Sequence, residues 1–68
     1  MTIDKAIYYI KNSGIDTVNS INQCNEFQLK KWKNDLNDEI ARLMECNKHI
    51  PINYIAEQYL INHRIGKN

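Results

Sequence analysis

Proline occurs once and glycine twice in these 68 residues, so little in the sequence interrupts regular structure. No low-complexity stretch, internal repeat or interdomain linker is present. No Gly- or Asn-punctuated alternation of apolar and polar residues supports a strand. The two cysteines, Cys24 and Cys46, are too few and too isolated for a disulfide framework and point to reduced thiols in a cytoplasm. No apolar run approaches the ~18–20 residues that cross a bilayer. The opening Met1-Thr2-Ile3-Asp4-Lys5 has no basic stretch leading into an apolar one, so no secretion signal is expected. Neither sign of charge is in excess. A net +1 excludes a generic polyanion binder and an acidic mimic of DNA alike.

What the chain does have is a hydrophobic fraction of 43% and helical periodicity, which exclude disorder across its length. From about Ile3 to Ser13, the residues Ile3, Ala6, Ile7 and Ile10 share a face, with Thr2 as N-cap and Asp4 in the first turn. Gly14 suits the left-handed position that ends such a helix, and Ile15 follows as its apolar contact. Asp16 can cap a short second helix, Thr17 to about Gln23, with Ile15, Val18 and Ile21 along its buried side.

The third helix, within Asn25 to Asn47, has the clearest start. Asn25 is the N-cap, Gln28 the reciprocal capping-box residue, and Cys24 with Leu29 a hydrophobic staple. Glu26–Lys30 and Asp38–Arg42 are favourable pairs four apart. Lys48-His49-Ile50-Pro51 breaks the chain in a short turn. A fourth helix follows from about Ile52 to Arg64, with Ile52, Ile55, Ala56, Tyr59 and Leu60 on one side and Gly66 after it. The expected fold is all-α: one domain over residues 1–68, a small bundle of three to four helices with the long amphipathic helix at its centre.

That long helix carries the main functional expectation. Leu29, Trp32, Leu36, Ile40 and Leu43 step by three and four along one face, and Cys46 continues the line. Lys30, Lys31 and Lys33 precede Asp35, Asp38, Glu39 and Glu45, an order that opposes the helix dipole. A second copy running antiparallel and crossing at Leu36 compensates it. Trp32 then meets Ile40, Leu29 meets Leu43, Lys33 meets Glu39 and Asn34 meets Asp38, although Lys30 falls against Arg42. The expectation is a homodimer seam of Leu29, Trp32, Leu36, Ile40 and Leu43, flanked by Lys33 and Glu39. Packing of this stripe on the chain's own helices, or on a different protein, is the alternative. Tyr8 and Tyr9 on the first helix, with Tyr54, Ile61 and Ile65 on the last, form a second set. They either complete the core or, in Tyr54, Ile61 and Ile65, offer a second partner surface.

Legible chemistry is sparse. Lys30-Lys31-Trp32-Lys33 is the one basic cluster with an aromatic inside it, and lysines with an exposed ring suit nucleic acid. Trp32 lies on the apolar face, however, and Asp35 and Asp38 weaken the local positive field. A helix-turn-helix over Tyr9–Ile21 has no Arg or Lys on its second helix to read bases or phosphates. Cys24, Cys46, His49 and His63 match no compact zinc module, and both cysteines sit on apolar faces where free thiols are commonly buried. With no glycine-rich phosphate loop, and with Ser13 and Ser20 lacking an evident base, neither catalysis nor a cofactor or small-molecule substrate is expected.

Three strings, Ile15-Asp16-Thr17-Val18, Ile40-Ala41-Arg42-Leu43 and Ile50-Pro51, fall respectively after a short first helix, in a long third one and before a last one. This layout resembles the small Hha/YmoA-type nucleoid modulators over most of the chain, with two gaps of several residues. The resemblance implies a four-helix protein that binds the dimerisation domain of an H-NS-like DNA-binding protein; no site residue carries over. Asn, Ile and Lys (10, 11 and 7 residues) have AT-rich codons, which fits a phage, a mobile element or a low-GC bacterium. The functional expectation is a cytoplasmic, non-enzymatic regulator or adaptor that acts by protein–protein contact, itself included. A nucleic-acid-associated regulator using Lys30, Lys31 and Lys33 is the alternative.

Overall fold

The first and third helices of this chain begin where a side chain satisfies backbone groups that a helix terminus leaves open. The computed structural model describes residues 1–14 and 17–66. It contains α1 (Ile3–Asn12), α2 (Val18–Gln23), α3 (Glu26–Glu45) and α4 (Ile52–Ile65), with no strand among the described residues. The described chain is therefore all-helical, as its periodicity implied. The Asp16 cap and the Ile15 contact lie outside the described residues.

At the start of α1 the Thr2 hydroxyl accepts from the Lys5 N–H at 3.2 Å, and the chain leaves the helix through Gly14 at φ +89°. The capping box of α3 is complete. Asn25 Oδ1 accepts from the Gln28 N–H at 2.8 Å, and Gln28 Oε1 accepts from the Asn25 N–H at 3.0 Å. The far end of α3 closes in a Schellman motif. The Lys48 N–H donates to the Leu43 carbonyl at 2.9 Å and the Asn47 N–H to that of Met44 at 3.1 Å. Asn47 supplies the left-handed residue at φ 56°, a conformation Asn tolerates better than most side chains. The chain then turns back through residues 46–51 into α4.

The centre of the molecule is α4 rather than the long α3. α4 packs most extensively on α1, then on α3, and also touches α2. α3 is the longest element, about 30 Å by its 20 residues, and spans most of the 32 Å long axis. Its principal neighbour is α4. The core is Ala6 and Ile10 of α1, Val18 and Ile21 of α2, Leu29 and Leu36 of α3, and Ala56, Leu60 and Ile61 of α4. Ile10, Ile21 and Ile61 are fully enclosed, one from each of α1, α2 and α4.

Two sequence expectations change here. The buried face of α4 is Ala56-Glu57-Leu60-Ile61, while Ile52 and Ile55 are exposed and Tyr59 is half-buried. Ile61, which the sequence left open between core and partner surface, is a core residue. Arg42 reaches Glu39 at 3.5 Å instead of Asp38; Lys30 pairs with Glu26 at 3.0 Å as expected. Both pairs are exposed and add little to stability.

Leu36, the centre of the expected dimer seam, is only 7% exposed within a single chain. Leu36→Glu should abolish cooperative unfolding and the helical circular-dichroism signal, because it places a carboxylate in the core. Leu36→Ala should cost about 2–5 kcal/mol in denaturant titration. A Leu36→Glu chain that stays folded would return this residue to an intermolecular seam.

Candidate functional site

Two neighbourhoods on opposite sides of α4 hold the side chains with most to say about function. On one side, Asn53, Glu57 and Arg64 stand four and seven residues apart, so they line up along the helix toward α2. Glu57 is buried, at 7% exposure, among Ala56, Leu60 and Ile61. The Thr17 hydroxyl donates to Glu57 Oε2 at 3.2 Å, and the Asn53 side chain supplies a second hydrogen bond. Two turns further on, Arg64 Nη1 donates to Asn22 Oδ1 at 2.7 Å, and Nη2 to the Asn22 backbone carbonyl at 3.5 Å. Thr17 is the N-cap residue of α2 and Asn22 lies in its last turn, so α4 grips the short helix at both ends. The signs of the two groups match the dipole of α2. A carboxyl stands by the N-terminal end of α2 and a guanidinium by its C-terminal end.

Burial pushes the Glu57 carboxyl above its ordinary value, and the hydrogen bonds from Thr17 and Asn53 offset part of the rise. Sequence reasoning missed both Glu57 and Arg64. The available signal was a carboxylate one step from Ala56 and three and four from Leu60 and Ile61, inside an apolar face.

The second neighbourhood is the α3–α4 turn. Met44, Ile52 and Ile55 are 62%, 45% and 38% exposed, and Ile40, Leu43, Ile50 and Pro51 are half-buried beside them in the chain. Gln58 Nε2 donates to Asn37 Oδ1 across the two helices. From that pair, antiparallel register sets Ile40 beside Ile55 and Met44 beside Pro51. Other large apolar side chains stand apart from this group: Met1 and Tyr8 on α1's side, and Phe27, at 77% exposure, on the first turn of α3.

The expected dimer seam is divided. Leu29 and Leu36 are buried in the chain's own core, whereas Trp32, Lys33, Glu39, Ile40 and Leu43 are half-buried. Trp32 packs against the core and is not a free stacking platform. Of the expected second surface, Tyr54 and Ile65 are half-buried and pack on the core, beside the enclosed Ile61. In the basic cluster, Lys30 and Lys31 are exposed, with Lys30 shared with Glu26. Cys24 is half-buried, but Cys46 is exposed at the C-cap of α3, contrary to the apolar position expected for it. No three His, Cys, Asp or Glu side chains among the described residues converge as a metal site, and no described helix is long and apolar enough to cross a membrane.

The raised Glu57 value fixes a pH dependence. The folded chain holds this proton more tightly than the unfolded chain, so the contribution is fully present below the ordinary carboxyl value of 4.5 and is lost as pH rises through the raised one. Urea titrations of the wild type and Glu57→Gln across pH 4 to 8 should show the wild type gaining on the variant as pH falls. A constant difference would mean that the carboxyl is not held in a desolvated site.

No family model, no curated protein and no solved structure matches this chain, and the resemblance to the Hha/YmoA-type modulators rests on its three short strings alone.

Proposed function

We propose that this chain is a small non-enzymatic interaction module of the regulatory or adaptor kind, which pairs with a second copy of itself through the apolar surface at the α3–α4 turn. The observation that carries this reading is that three of the six exposed large apolar side chains among the described residues, Met44, Ile52 and Ile55, fall together between residues 44 and 55. The Leu36-centred seam is a poorer candidate, since Leu29 and Leu36 already serve the internal core.

Two further considerations favour a second copy as the occupant. A core of nine small and medium apolar residues among those described is modest for an independent domain, and association is a usual remedy at this size. Exposed charges of both signs also stand close to the patch in the chain, Glu45 at the end of α3 and Lys48 in the turn. A two-fold axis through the patch can set Lys48 of one copy against Glu45 of the other.

Sedimentation equilibrium of the wild type and Ile55→Glu tests this directly. The wild type should run as a dimer. The variant should run as a monomer with an unchanged circular-dichroism spectrum, because Ile55 lies outside the core. A wild type that stays monomeric to about 1 mM, or an Ile55→Glu chain that still dimerises, overturns the reading.

A further inference from the structure

We propose that α2 is a detachable strap, latched onto α4 by Glu57 and Arg64, which opens by itself while α1, α3 and α4 remain folded. Its opening is independent of self-association, since Ile55 and Glu57 lie about 200° apart around α4.

Four features of α2 point to this. With six residues, α2 is too short to persist away from its neighbours. It buries only Val18 and Ile21, and its packing on α1 and α4 is slight beside that of α1 and α3 on α4. Its N-cap residue makes no side-chain cap to its own helix, because the Thr17 hydroxyl is directed to Glu57. Its far end is tied by Arg64 to both the side chain and the carbonyl of Asn22, in an exposed bond that water can replace.

The two latches therefore differ in kind. The Glu57 end is buried, where breaking the bond leaves a desolvated carboxyl with one partner fewer. The Arg64 end is open to solvent. Opening accordingly starts at Asn22, swings Ile21 out of its enclosed position and finishes at Thr17. Regions with few buried contacts and solvent-reachable polar ties are those that open below the global unfolding free energy.

Native-state hydrogen exchange on the full chain at pH 7 tests the strap, with the amides of Ile21 and Cys24 reporting on α2 and those of Ile10 and Leu60 on α1 and α4. The Ile21 amide, which donates to the Thr17 carbonyl at 2.9 Å, should exchange about tenfold or more faster than that of Leu60. Arg64→Gln should accelerate Ile21 and Cys24 by a further factor of about five, leaving Ile10 and Leu60 within about twofold of the wild type. Thr17→Val should do the same from the other end. Equal exchange rates for Ile21 and Leu60, or variants that speed all four amides alike, would show that α2 unfolds only with the whole molecule and would sink the proposal.

Discussion

One face of α4, Ala56 with Leu60 and Ile61 around Glu57, holds the rest of this chain in place. α1 supplies Ala6 and Ile10 to it, α2 supplies Val18 and Ile21, and α3 supplies Leu29 and Leu36. Three of the four helices are 14 residues or fewer, short enough to be marginal in isolation, so their helicity depends on what they bury. Enclosing a side chain such as Ile10, Ile21 or Ile61 contributes roughly 1.5–3 kcal/mol. Few such side chains are available here, which makes the shared face of α4 a constraint as much as a source of stability.

The consequences run outward from both sides of that helix. Toward α2, a buried acid and an exposed base give the shortest element two ties of unequal strength. Away from α2, the fold leaves Ile55 exposed, next to Ile52 and Met44 at the turn. A helix that is apolar nearly all round must either be covered on every side or present a surface to something else. With α1, α2 and α3 covering most of α4, the uncovered sector is where association is expected.

How much of this was readable in the sequence follows from the contrast between α3 and α4. α3 alternates apolar and charged residues sharply, so its start, its capping box and its inward face at Leu29 and Leu36 could all be read from spacing. The same spacing could not say whether that face met α4 or a second copy, because a helix stripe carries no record of its partner. α4 was harder. It has apolar side chains at Ile52, Ile55, Tyr59, Leu60, Ile61 and Ile65, and the arc richest in them is not the one that is buried. The decisive arc contains Glu57, which a hydropathy pattern counts against burial. The Thr17 hydroxyl, 40 residues away in the chain, helps make that carboxyl acceptable inside. The Schellman turn at Asn47 was missed for a simpler reason: Asn stands where Gly is the usual marker.

α4 organises the core, and α3 is held by it. Trp32 is the one tryptophan in the chain and lies half-buried on α3, so its fluorescence reports on α3 while far-ultraviolet circular dichroism reports on all the helices. The most direct measurement of that dependence is urea unfolding of Ile61→Val followed by both signals. Loss of one methylene from this enclosed site should lower stability by about 1 kcal/mol and move both midpoints together. A Trp32 transition that stayed where it was while the circular-dichroism midpoint fell would show that α3 folds without α4, and would contradict a core organised by α4.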